Sequence, residues 1–93
     1  MSRYAEWDPK KNQQLKRERG IDFDDVMSAL QNGSWARIVQ HHSKGRYAHQ
    51  KLLLVDISGY LYVVPFVENE EKMFFKTIFP SRKATKQYLK KQG

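Results

Sequence analysis

The 93-residue chain contains no cysteine. This excludes a disulfide framework and any thiolate metal site, and it suits a reducing cytoplasm. No apolar run reaches the roughly 18 residues that a membrane span requires. The opening Met1-Ser-Arg-Tyr4 has no apolar region of the kind a secretory leader carries. A soluble, cytoplasmic protein without membrane association is therefore expected. A Gly-rich phosphate loop, a dinucleotide fingerprint and a nucleophilic serine motif are also missing. A chain this short is expected to form a single domain over residues 1–93. It buries only about 65% of its unfolded surface, so individual large side chains matter.

Acids are missing from one end of the chain. From Lys76 onward there are six basic residues (Lys76, Arg82, Lys83, Lys86, Lys90 and Lys91) and no acid. From Asp56 to Glu71 there are four acids and no base. Seventeen Lys and Arg against ten Asp and Glu leave a formal charge of +7. Such segregation suits a polyanion at one end of the molecule, the alternative being a solvated helix face. Aromatic residues beside the cations favour nucleic acid, because exposed rings can stack on bases.

What is present is organised around Lys51 to Leu89. Two β-rich runs within Lys51–Val67 lie around Ile57-Ser58-Gly59, a hairpin signal because Gly supplies positive φ. A third run, Lys72–Phe79, follows the polar Glu68–Glu71 connection, and Pro80–Lys91 reads as a basic helix. The pattern predicts a three-strand antiparallel meander carrying that helix, with the upstream segments packed onto it. Arg3–Trp7 reads as an edge strand. Asp8-Pro9 starts a polar helix that Gly20 stops. Asp22 caps a second helix, in which Phe23, Val26, Met27 and Leu30 form one apolar face. Asn32-Gly33 ends it, and Trp35–Gln40 reads as a strand.

Candidate chemistry is sparse. His41 and His42 are adjacent, so in an extended chain they point to opposite faces and do not share a metal ion; with His49 they read as solvated loop histidines. Asp22, Asp24 and Asp25 are explained by capping, and Glu68, Glu70 and Glu71 by a solvent-facing turn. Under strict alternation Lys76 shares a face with Phe74 and Ile78. A lysine there must reach water, an acid or an anionic ligand. Arg82 and Lys83, in the first turn after Pro80, suit a phosphate, unless Arg82 merely pairs with Glu68 or Glu70.

Three segments, Glu6-Trp-Asp-Pro-Lys-Lys-Asn12, Arg19-Gly-Ile-Asp-Phe-Asp-Asp-Val26 and Lys76-Thr-Ile-Phe-Pro-Ser-Arg-Lys-Ala-Thr85, resemble the BrnT family of type II toxins. The resemblance runs from about Tyr4 to Leu89. It implies an α+β, RelE-like fold with N-terminal helices packed on a small antiparallel β-sheet. It also implies a ribonuclease that arrests translation, and a cognate antitoxin, often of ribbon-helix-helix type. Where the family has Lys-His-Gly, this chain has Glu18-Arg19-Gly20, so no role for that histidine carries over.

Metal-independent RNA cleavage needs a proton acceptor for the ribose 2′-hydroxyl, cations for the phosphorane and a proton donor to the leaving oxygen. Lys51, Lys76 and Arg82 are the candidates to hold the phosphate, and His49 and Tyr88 to move protons. Lys83, Lys86, Arg46 and Lys44 are candidate RNA contacts. No metal or other cofactor is required. The alternative is a non-catalytic RNA-binding or antitoxin-binding module using the same basic face. A third possibility is an interaction protein using the apolar edge at Trp35–Val39.

Overall fold

The computed structural model describes residues 4–40 and 50–89. Its first strand, β1 (Tyr4–Glu6), leads into α1 (Pro9–Arg19). Asp8 caps α1 by accepting from the Lys10 amide at 3.0 Å, and Gly20 closes it at φ 73°, a conformation that costs a Cβ-bearing residue energy. Leu15 is the one buried residue of α1, as its polar composition requires. Helix α2 (Phe23–Gln31) begins with a reciprocal box. The Asp22 carboxylate accepts from the Asp25 amide at 3.0 Å, and the Asp25 carboxylate accepts from the Asp22 amide at 2.9 Å. Asn12 of α1 accepts from the Phe23 amide at 2.7 Å and so fixes one helix against the other.

The strands that follow are β2 (Ala36–Gln40), β3 (Lys51–Ile57), β4 (Tyr60–Glu68), β5 (Lys72–Phe75) and β6 (Phe79–Pro80). The β3–β4 turn places Ser58 at φ 56° and Gly59 at φ 85°, the paired left-handed geometry that matches strand twist. The Asp56 carboxylate accepts from the Gly59 amide at 2.8 Å and holds the turn. The sheet order is β1-β5-β4-β3-β2, with β6 also pairing to β4. The expected antiparallel meander β3–β4–β5 lies at its centre.

Two features differ from the sequence expectation. The sheet is mixed, because β1 runs parallel to β5, with Tyr4 opposite Lys72 and Glu6 opposite Phe74. The Lys72 ammonium donates to the Glu6 carboxylate at 2.9 Å across this pair. The third run is also not one regular strand. Phe66 of β4 stands opposite Phe75, yet Val63 stands opposite Phe79, so three steps along β4 answer four along its partner. One extra residue lies within 76–78, a β-bulge that breaks strict alternation. Phe75 and Ile78 therefore both enter the core, at 1% and 0% exposure. Lys76 consequently shares its face with Phe74 but not with Ile78. The Arg19 guanidinium donates to the Ile78 carbonyl, supplying a partner at the bulge.

Helices α1 and α2 cover one face of the sheet. Their core joins Leu15, Ile21, Phe23 and Val26 to Leu53, Val55, Val64, Phe66, Phe75 and Ile78. Trp7, Phe23 and Phe75 form its aromatic centre, with ring centroids 5.4–5.9 Å apart. The other face carries the short helix α3 (Arg82–Ala84), continued as a π-helical segment over Thr85–Leu89. Ala84, Leu54, Leu61 and Val63 form the small core beneath it. Ser81 caps α3 by accepting from the Ala84 amide at 3.0 Å. The buried Thr85 hydroxyl accepts from the Leu61 amide at 2.9 Å and donates to the Ser81 carbonyl at 2.8 Å. One threonine thus pins the C-terminal helix to β4. No described helix is long and apolar enough to cross a membrane.

Candidate nucleic-acid interface

The face bearing the C-terminal helix carries a group of exposed cations. Because alternate residues share a face, pairing of Arg37 with Leu54 and of Val39 with Leu52 brings Arg37 and Val39 to this side. The C-terminal helix lies beside them, leaving a groove of about 570 Å³ whose walls include Val39, Leu52, Val63, Lys83, Gln87 and Tyr88. Tyr88 packs on Trp35 with ring centroids 5.3 Å apart, and the Arg37 guanidinium lies over the Tyr88 ring, 5.4 Å from its centroid. These contacts hold the phenol at the groove wall. With an indole and a guanidinium packed on its ring, Tyr88 offers the groove its edge and its hydroxyl.

Lys76 joins this face from the far side of the sheet. Its backbone amide donates to the Pro65 carbonyl at 2.8 Å, level with Leu52 across β4. Its ammonium is exposed and sits 5.4 Å from the Phe74 ring centroid. Phe79, opposite the groove-lining Val63, also points to this side and is 39% exposed.

The remaining candidates fall elsewhere. Arg82 and Lys86 are exposed and line a separate cleft of about 470 Å³ beside Gly59 and Tyr60, at the hairpin end of the same helix. Lys51 lies at the opposite end of β3, on the α1–α2 face that it shares with its pairing partner Phe66. There it forms an ion pair with Glu68. Six strand steps lead from Tyr60 to Phe66, so Lys51 and Arg82 stand on the order of 20 Å apart. The structure therefore brings Lys76, Lys83 and Tyr88 to one face, extends it with Arg82 and Lys86, and leaves Lys51 off it. Arg82 has no ion pair with Glu68 or Glu70 among the described residues. His49, Arg46 and Lys44 lie outside the described residues.

Sequence reasoning missed Arg37 and Phe79. The signal for Arg37 was present, since period-two alternation in Trp35-Ala-Arg-Ile-Val39 places Trp35, Arg37 and Val39 on one face. Phe79 was not recoverable in that way, because the bulge sets its direction.

No family model matches the sequence, and no curated protein does. Solved structures do match, and the better of the two described here shows the fold: an α+β, RelE-like arrangement shared with a BrnT toxin. One is the ribonuclease toxin BrnT of Brucella abortus, which superposes with a TM-score of 0.60 at 19% identity, over 86% of this chain and 97% of that one. YafQ from E. coli strain BL21(DE3) overlaps more loosely, with a TM-score of 0.43 at 13% identity, over 89% and 97% of the two chains.

Proposed function

We propose that this chain is the toxin of a type II toxin–antitoxin pair, an endoribonuclease that cleaves RNA without a metal ion and so inhibits translation. The observation that carries the reading is the single face on which Lys76, Lys83, Arg37 and Tyr88 converge, on a fold shared with a ribonuclease toxin. In this reaction the ribose 2′-oxygen attacks the adjacent phosphorus, and the bond from phosphorus to the 5′-oxygen breaks. The products are a 2′,3′-cyclic phosphate and a 5′-hydroxyl. Lys76 and Lys83 hold the phosphate and offset the charge of the phosphorane, and Arg82 and Lys86 contact the strand as it leaves the groove. Tyr88 is positioned by Trp35 and Arg37 to pass a proton to or from the reacting oxygens. His49 is the second proton-transfer candidate, and Arg46 and Lys44 further RNA contacts.

The partner this reading requires is a cognate antitoxin that covers the toxin. The reading is tested by induction in a bacterium without that antitoxin. Growth should stop, RNA should be cut, and cutting by the purified protein should persist in EDTA. Normal growth at confirmed soluble expression would support the second reading, a non-catalytic RNA-binding or antitoxin-binding module. That reading is favoured by the outer edge of β2. There Ile38 is 53% exposed beside an apolar hollow lined by Leu30, Leu53, Phe66 and Met73.

A further inference from the structure

The bulge between β5 and β6 decides which of two neighbouring apolar side chains faces the helices. Phe75 is inside, so regular alternation would place residue 77 and then residue 79 inside as well. The extra residue reverses this order: Ile78 is fully buried, and Phe79 emerges on the basic face. Bulges serve to re-aim side chains in this way. Among the described residues, Phe79 and Ile38 are the two large apolar side chains left exposed. Phe79 has cations for neighbours on its face. Lys76 is three residues before it, with its ammonium against the Phe74 ring, and Lys83 is four residues after it at the groove wall.

We propose that Phe79 is a stacking platform for one unpaired base of a single-stranded RNA, with Lys76 and Lys83 on the phosphates that flank that nucleotide. The identity of the polymer rests on the ribonuclease reading above. The platform itself rests on the bulge, the exposed ring and the two cations. A ring recognises the area of a base rather than its hydrogen-bonding pattern, so the subsite accepts all four bases and favours purines. It excludes duplex RNA, whose bases cannot be splayed onto the ring.

The test uses the whole chain and a fluorescent RNA of about ten nucleotides bearing 2′-O-methyl ribose, which binds but cannot be cleaved. Loss of one base–aromatic stack should weaken binding about 10-fold. Phe79→Leu keeps an apolar side chain at the position but removes the ring, and should show that loss with an unchanged melting temperature. Phe79→Trp should bind at least as tightly as wild type. A scan of single abasic positions should find one that weakens wild-type binding to the same extent and adds nothing in Phe79→Leu, the non-additivity expected of two halves of one contact. Wild-type affinity in Phe79→Leu, or additive losses at every abasic position, would overturn the platform while leaving the nuclease reading intact. Absence of any RNA binding by the wild-type chain would remove both.

Discussion

Among single side chains, position on the sheet separates the cations by role. Lys76 and Arg82 are exposed and fill no core volume. Lys76→Ala should lower single-turnover RNA cleavage 10-fold or more, about 1.4 kcal/mol of transition-state stabilisation, and Arg82→Ala should weaken RNA binding instead, each with little change in melting temperature. A large melting shift with activity falling in proportion would make them structural instead. Lys51→Ala should behave in the opposite way, since it breaks the pair with Glu68 on the other face. Its stability cost is expected within about 1 kcal/mol, the usual range for a partly exposed pair, with cleavage nearly unchanged. Tyr88→Phe keeps the packing on Trp35 and under Arg37 but removes the hydroxyl. If that hydroxyl moves a proton, kcat should fall by roughly 100-fold at constant KM. A rise in KM alone would reduce Tyr88 to a binding residue.

Elements are held by short polar motifs at their ends. Asp22→Ala removes half of the α2 box and should cost about 1 kcal/mol in denaturant unfolding. Burial on its own would raise the pKa of Asp25, but the Asp22 amide and the Lys16 ammonium, at 3.0 Å, outweigh it and lower the pKa below the ordinary 3.8. A carboxylate with a depressed folded-state pKa contributes stability above its unfolded value and loses it as pH falls through the folded one. Asp25→Asn should therefore flatten the acid limb of a stability–pH profile below about pH 4. An unchanged limb would deny the coupling. The Lys16 ammonium is shifted upward by its hydrogen bond to Asp25, so its share is fully present below its ordinary 10.5 and is lost only as pH rises through the raised value. At the other end of the chain, Thr85→Val should strand the buried Leu61 amide, at a cost of roughly 1–3 kcal/mol. Because Thr85 pins the helix that carries Lys83 and Tyr88, RNA affinity should fall with it. Retained affinity would show that the packing of Ala84 on the sheet and of Tyr88 on Trp35 is enough to seat the helix.

Over the whole molecule, five described cations, Arg37, Lys76, Arg82, Lys83 and Lys86, lie on the side of the sheet that carries the C-terminal helix. Binding that neutralises phosphates weakens as salt rises, with a log–log slope near −0.7 per contact on single strands. Four contacts, from Lys76, Arg82, Lys83 and Lys86, predict a slope of about −3. Lys86→Ala should reduce its magnitude by less than one without changing any base preference. A salt-independent interaction would leave the charge as a solvated surface, and would favour a protein partner on the apolar edge at Ile38.

The features the sequence determined by itself are those whose causes lie within a few residues. Asp8 with Pro9, Gly20, the Asp22–Asp25 box and the Ser58-Gly59 turn each satisfy or redirect backbone groups next to them, so composition was enough to place α1, α2 and the β3–β4 hairpin. The basic character of the C-terminal segment was legible for the same reason. Tertiary structure alone decided the rest. The parallel pairing of Tyr4 with Lys72 joins strands far apart in the chain, and no local pattern states which edge a three-residue strand will choose. The bulge puts Ile78 rather than Phe79 in the core with residues of α1 and α2, and the Arg19 guanidinium donates to the Ile78 carbonyl there. Lys51 at the start of a strand and Arg82 at the start of a helix were both candidates to hold the phosphate, but pairing with Phe66 sent one to the helix-covered face, while the helix crossing carried the other to the far end of the sheet. Charge is a property of the residue. Which face and which end of the sheet it occupies is set by the register of distant strands.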